Sequence, residues 1–274
     1  MRREGFSLEI IVTGDEILFG RILDSNSNWL ALRAAELGAH LRRITTVGDV
    51  TEDIISVLKD ALSRGNDMII FTGGLGPSED DLTVEAIAKA VDHGLVVDQG
   101  AFEKIRRSYE RRGFTNLERG MRIARIVEES RAIPNPVGLS AGMVLSVGNT
   151  LVVTFPGIPV EMKAMFDESV APLIEDKAST RFIARTMTAR VVFGEFFPIY
   201  RAMQAEYPDA YIKNAATPPE RSNERVRVRE IKVDIVVEAP SIEECQARMG
   251  ELVSDFGRRI EAKNGELFDR VNGV

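Results

Sequence analysis

Through the first 175 residues, short and uniformly apolar runs alternate with longer stretches in which apolar residues recur every three or four positions. That alternation is the pattern of βα units and a largely parallel sheet. Leu8 to Val12 reads as the first strand, ending at Thr13-Gly14-Asp15. Asp24, Ser25 or Asn26 offers an N-cap for a helix through Trp29 to Leu37, closed by Gly38. Leu41 to Val47 predicts a second strand. Thr51 to Arg64 predicts a helix with Ile54, Leu58, Ala61 and Leu62 on one face, and Gly65 stops it. Met68 to Phe71 is apolar throughout, as a strand covered on both faces should be. Val84, Ile87, Ala88 and Val91 return to helical spacing, and Gln99 to Arg112 and Asn116 to Glu128 predict further helices. Met143 to Val147 and Thr150 to Thr154 form a predicted hairpin around Gly148-Asn149. A helix over Val160 to Ile174 closes the unit.

Near Glu175 to Thr180 the character changes, and residues 180–265 read as a small α+β module. Arg185 to Phe193, Tyr211 to Asn214 and Glu230 to Val237 are strand-like, and Phe197 to Glu206 is helix-like. Thr217 to Asn223 is a polar loop. The last helix, Ser241 to Phe256, starts with a capping box of Ser241 and Glu244.

Charge narrows the function classes. The net charge is −7, but residues 176–274 hold 16 basic and 16 acidic residues, so the first 175 carry all of it. An acidic domain repels phosphates unless a cation intervenes, which argues against a nucleic-acid binder and for a divalent metal if the ligand is a phosphate. Cys245 is the single cysteine, so an intramolecular disulfide and a Cys-rich zinc site are excluded, and a reducing cytoplasm is expected. No apolar run approaches the ~20 residues of a membrane span, and Met1 to Phe6 lacks a signal-like apolar core.

The candidate chemistry lies where strands end. Thr72-Gly73-Gly74-Leu75-Gly76-Pro77-Ser78-Glu79-Asp80-Asp81-Leu82-Thr83 joins a buried strand to a helix, the edge at which open α/β sheets bind ligands. Its glycines let backbone N–H groups approach an anion, and the following helix start favours negative charge. It is neither a Walker loop nor a GxGxxG fingerprint. Asp80 and Asp81 beside such a cradle call for a cation, unless one caps the helix and the other is solvated. Asp15, Glu16 and Asp49 follow other strand ends; as a bland alternative, Asp49 caps the next helix. Pro134-Asn135-Pro136-Val137-Gly138 and Pro156-Gly157-Ile158-Pro159-Val160-Glu161 supply two rigid turns. His40 and His93 are expected at the surface. Arg221, Arg225, Arg227 and Arg229 are interleaved with Glu220, Glu224 and Glu230, which reads as a solvated loop rather than an RNA patch.

Taken together, Gly14-Asp15-Glu16-Ile17-Leu18 with Gly20-Arg21 and Asp24-x-Asn26, then Thr72 to Thr83, then Pro134 to Gly138 with Gly142, then Pro156-Gly157-x-Pro159-x-Glu161-Met162 resemble the ordered motifs of the competence-damage-inducible A (CinA) family. The resemblance covers about residues 6–175 and, more weakly, a KH-like module after it. It implies a three-layer α/β/α, mostly parallel molybdopterin-binding (MoaB/Mog-like) fold. It also implies hydrolysis of the pyrophosphate bond of ADP-ribose or a similar dinucleotide with Co²⁺, Mn²⁺ or Mg²⁺, and K⁺ as activator. Asp81 and Asp49 then match catalytic positions, and Asp80, Asp81, Asp15 and Glu16 are the metal candidates. Gly14, Asp24, Asn26, Gly73, Gly74, Gly76, Ser78, Thr83, Asn135, Gly138, Pro156, Gly157 and Glu161 are the substrate-binding candidates. A homo-oligomer, dimer or trimer, is expected. No deamidase domain of the kind many family members carry is recognisable, and Pro77-Ser78-Glu79 stands where Pro-Thr is usual. Two rival readings remain: a molybdopterin-binding or adenylyl-transfer protein, and a non-catalytic interaction protein.

Overall fold

The computed structural model describes residues 5–114, 117–214 and 227–269. The chain divides into two compact units, Met1–Ala178 and Ser179–Val274.

In the first unit the chain runs through β1 (Ser7–Thr13), α1 (Asp15–Leu18), α2 (Ser25–Glu36), β2 (His40–Val47), α3 (Thr51–Ser63), β3 (Met68–Thr72) and α4 (Thr83–Val91). It continues through β4 (Leu95–Val97), α5 (Gln99–Arg111), α6 (Glu118–Ile123), β5 (Arg125–Val127), β6 (Arg131–Ile133), β7 (Gly142–Val147), β8 (Thr150–Phe155), α7 (Pro159–Ser169) and α8 (Ala171–Lys177). The main sheet has the order β2-β1-β3-β8-β7-β6. Its first four strands are mutually parallel; β7 and β6 complete it antiparallel. Alternation along β1 divides the core. Leu8, Ile10 and Val12 pack with Leu30 and Ala34 of α2 and with Met162, Met165 and Phe166 of α7. Ile11, with Ile69 and Phe71 of β3, packs against Ile54 and Leu58 of α3 and Ile87 of α4. Helices therefore cover both faces, which gives the expected three-layer α/β/α arrangement.

One charged residue sits inside this apolar frame. Glu9 on β1 is 1% exposed, and both its carboxylate oxygens accept from Arg64, just past α3, at 2.6 Å. The bidentate pair satisfies a carboxylate that the sheet would otherwise bury alone.

Among the differences from the sequence reading are two helix ends and one burial expectation. The helix expected over 116–128 stops at Ile123, because Arg125-Ile126-Val127 pairs with β4. The helix expected over 160–174 breaks at Val170, where Pro172, with no N–H to donate, sits in the first turn of α8. His40, expected at the surface, is buried at the start of β2, where its backbone N–H bonds Phe6 at 2.7 Å.

The second unit contains β9 (Arg181–Val192), α9 (Phe193–Glu206), β10 (Tyr211–Asn214), β11 (Val228–Ala239), α10 (Ile242–Glu261) and β12 (Glu266–Asp269). Its sheet is antiparallel, in the order β10-β11-β9-β12. Among the described residues the elements run βαββαβ with this strand order, a ferredoxin-like arrangement in which single helices follow the first and third strands. Ser241 accepts from the Glu244 N–H at 3.1 Å and caps α10, as expected. Phe196, Phe256, Leu252 and Val233 centre the core. The polar loop Thr217 to Asn223, together with Arg221 and Arg225, lies outside the described residues.

Candidate functional site

The parallel strands β1, β3 and β8 end side by side, with Val12 in register with Thr72 and Thr72 with Phe155. The loops that leave them therefore meet at one edge of the sheet. Gly73 takes φ +109, and a Cβ there would stand 2.2 Å from the Thr13 carbonyl oxygen. Gly74 takes φ +63, and its Cβ would meet Thr83 Oγ1 at 2.2 Å. Only glycine allows this approach in this backbone conformation. The loop is held from below: Thr83 Oγ1 donates to the Gly73 carbonyl at 3.0 Å, so Thr13 Oγ1 is the donor in its 3.0 Å bond to Thr83.

Above these loops lies a cleft of about 500 Å³. Asn26, 8% exposed, ties two of its walls, donating from Nδ2 to Thr72 Oγ1 and to the Gly157 carbonyl, both at 2.9 Å. Its Oδ1 is buried without a hydrogen-bond partner. Asp24 also lines the cleft and caps α2, accepting from the Ser27 N–H at 2.9 Å and from the Ser27 hydroxyl. Gly14, Gly73, Gly74, Gly76, Ser78, Pro156 and Gly157 all reach the cleft wall. Ile22, Leu23, Ile158 and Ser140 do so too. Sequence reasoning passed over those four. The signal was the apolar pair Ile22-Leu23 between a turn and a helix cap, where solvent exposure alone would favour polar residues.

Carboxylates crowd the mouth of the cleft. Asp49 and Asp15 bond reciprocally: the Asp15 N–H donates to Asp49 Oδ2 at 3.0 Å, and the Asp49 N–H to Asp15 Oδ1 at 3.3 Å. Burial pushes the Asp49 carboxyl above its ordinary value; the Asp15 N–H opposes that, while the charges of Asp15, Glu16 and Asp80 add to it. Asp49 does not cap α3, nor Asp80 or Asp81 α4: Val50 and Leu82 stand at those N-caps, both without a side-chain cap bond. Asp81 Oδ2 accepts from the Ser78 N–H at 2.8 Å, which folds the loop back on itself. Glu16, Asp49, Asp80 and Asp81 line the cleft, whereas Asp15 stands behind Asp49. Among the described residues no three such groups gather as a ready-made metal cage. The suggested set of Asp80, Asp81, Asp15 and Glu16 is thus a ring of separate carboxylates.

Four suggested ligand residues do not line this cleft. Thr83 is fully buried beneath the loop. Asn135 donates from Nδ2 to Glu161 Oε2 at 2.6 Å and to the Ser140 carbonyl at 3.0 Å, and its Oδ1 accepts from the N–H groups of Val137 and Gly138. A Cβ on Gly138 would collide with the Glu161 carboxylate at 2.2 Å. Asn135, Gly138 and Glu161 therefore brace the proline loop, and every hydrogen-bonding atom of the Asn135 side chain is committed there.

The profile of the family described as "Probable molybdopterin binding domain" matches residues 9–176, the six-stranded unit and its cleft. A protein of Pyrobaculum calidifontis is 33% identical over 256 residues, 93% of this chain and 95% of that relative. The chain belongs to the CinA-like family of molybdopterin-binding-domain proteins. A CinA-like protein of Dictyoglomus thermophilum is 43% identical over 166 residues, 61% of this chain and 40% of that relative. The crystal structure of the protein CinA, of unknown function, from Thermoplasma acidophilum superposes with a TM-score of 0.55 at 31% identity, covering 61% of this chain and 96% of that one. The glycine loop lies within residues 9–176, and the Pyrobaculum relative extends the likeness across most of the second unit. No described helix is long and apolar enough to cross a membrane.

Proposed function

We propose that the glycine-loop cleft binds a nucleotide diphosphate together with a divalent cation and hydrolyses its phosphoanhydride bond, with ADP-ribose or a related dinucleotide as substrate. The observation that carries this reading is the gathering of Glu16, Asp49, Asp80 and Asp81 along the same cleft wall as the glycine loop. Such like charges destabilise the empty fold and are explained by a cation. The residues fit one that is shared with the ligand: Mg²⁺-like ions commonly take one or two carboxylates plus phosphate oxygens and water, not an all-protein cage. Co²⁺, Mn²⁺ or Mg²⁺, with K⁺ as activator, would neutralise phosphoryl charge, and the divalent ion would make a bound water more acidic.

The chain's own groups do the rest. With the Gly73 N–H committed to Phe155 and the Ser78 N–H to Asp81, the N–H groups of Gly74 and Gly76 are the loop donors for the phosphate oxygens, and Asn26 Oδ1 accepts from a donor on the ligand. Asp49, whose carboxyl burial makes more basic than an ordinary aspartate, accepts in its ionised form the proton of the attacking water. The water oxygen bonds phosphorus, the bridging P–O bond breaks, and ADP-ribose yields AMP and ribose 5-phosphate. Asp81 commits Oδ2 to Ser78 and offers Oδ1 to the cation. Asp81→Asn keeps an acceptor for the Ser78 N–H and removes the charge, so the variant should stay folded and lose most turnover; a folded variant at the wild-type rate rejects this role. A second reading, pterin-phosphate binding or adenylyl transfer, is favoured by the matching family description. Tight pterin binding without nucleotide hydrolysis would select it.

A further inference from the structure

The cleft that should receive a diphosphate has no lysine or arginine in its described lining. Across the glycine loop arginines enter the lining, alongside Glu79 and Glu118. A polar groove of about 470 Å³ is formed by Pro77, Ser78 and Glu79 on the loop side and by Glu118, Arg119, Arg122 and Arg125 on the other. Ser78 lines both cavities, and a narrow crevice between Gly76, Asp81, Arg122 and Arg125 continues the groove under the loop.

The arginines are placed but not consumed. Arg122 Nη2 donates to the Asp81 carbonyl at 3.1 Å, and its Nε is buried without a hydrogen-bond partner. Glu85 stands 3.6 Å from Arg122 and 3.8 Å from Arg125, close enough to orient both guanidinium groups and too far for a strong hydrogen bond. Arg119, one turn before Arg122 on α6, makes no ion pair with another described residue. Converging guanidinium groups with free donors match phosphate oxygens, which accept two N–H groups at once.

We propose that Arg119, Arg122 and Arg125 form a second phosphate subsite, which holds one phosphate of the bound diphosphate while the other lies with the cation in the carboxylate cleft. This rests on the diphosphate-hydrolase reading. It gives that reading a polarity: near Ser78 and Asp81, which border both sides, one phosphate meets fixed positive charge and the other the carboxylates plus cation. Arg122 is also a positioning residue for Asp81, because its guanidinium holds the Asp81 backbone carbonyl.

The test uses the full chain carrying Arg119→Gln and Arg125→Gln, two exposed positions whose replacement leaves the fold intact, checked by thermal unfolding. With ADP-ribose and Mg²⁺, each substitution should raise KM about tenfold, the loss of one charge-assisted contact, with little change in kcat. The rise of KM with salt should become shallower in each variant, because one screened charge–charge attraction is gone. A KM and salt slope equal to wild type, with turnover intact, overturns the subsite and leaves the hydrolase standing. If the wild type itself shows no turnover, the hydrolase reading fails, and calorimetry with inorganic pyrophosphate decides the subsite separately. Binding by the wild type that is lost in the double variant supports it; equal binding or none overturns it.

Discussion

Replacing Gly73 by alanine puts the proposed cradle under its most direct structural stress. The new Cβ would stand 2.2 Å from the Thr13 carbonyl oxygen and 2.7 Å from Thr13 Oγ1. Relief needs a shift of about 0.8 Å merely to reach 3.0 Å, below which real Cβ atoms are essentially never found. Neither partner is free to give. Thr13 ends β1, which is paired on both sides, and the Gly73 N–H is bonded to Phe155 at 3.0 Å. A left-handed φ costs a non-glycine residue about 1–2 kcal/mol, and overpacking adds about 1–3. The lower entropy of the unfolded alanine chain returns about 0.4–1. The net expectation is a loss of about 2–4 kcal/mol. Gly157→Ala is the control, because its nearest neighbour would be Gly73 Cα at an ordinary 3.6 Å. It should stay within about 0.5 kcal/mol of wild type while intruding on the cleft. Urea unfolding followed by Trp29 fluorescence reads the first unit alone, since Trp29 is the single tryptophan and packs edge-on against Phe166 at 5.6 Å. A Gly73→Ala protein as stable as Gly157→Ala would refute the packing argument.

Three further outcomes are expected. Arg64→Met strands the buried Glu9 carboxylate and should cost about 3–5 kcal/mol, most of it recovered when Glu9→Leu is added, as a double-mutant cycle in urea will show. Asp49 has a raised carboxyl pKa in the fold, so its contribution to stability is present below the unfolded value and lost as pH rises through the folded one. Asp49→Asn should therefore stabilise the metal-free protein at neutral pH and flatten its acid stability profile, yet abolish turnover; a variant less stable than wild type at pH 7 contradicts the crowding argument. Burial leaves the Cys245 side chain 0% exposed and pushes its thiol pKa up, so a disulfide reagent should label it only as fast as the second unit opens; complete labelling within minutes in native buffer counts against that packing.

The parallel core was legible because Met68 to Phe71 is apolar at every position, which only a strand covered on both faces tolerates. The glycine loop followed from its place at the end of that strand. Arg125 to Val127 was misread as helix because three residues carry too little periodicity to outweigh the helical stretch before them, and pairing with β4 decides their conformation. Short β12 and β6 were invisible for the same reason. The strand order that makes the second unit ferredoxin-like depends on pairings far apart in sequence. Asn135 and Glu161 looked like ligand residues because a polar residue framed by prolines reads alike whether it faces a ligand or another loop. Only their mutual 2.6 Å bond separates the two cases. Glu9 broke the apolar pattern without a local partner, and its explanation, Arg64, lies 55 positions away.

The most direct test of the central claim is the turnover of ADP-ribose, FAD and NAD by the purified protein with Co²⁺, Mn²⁺ or Mg²⁺ and K⁺, read as AMP released, against an EDTA control. Metal-dependent AMP from at least one of these, absent with EDTA, is the expected result. No AMP from any of them with any metal, in protein shown to be folded by its unfolding transition, would contradict the hydrolase and transfer the cleft to pterin-phosphate binding.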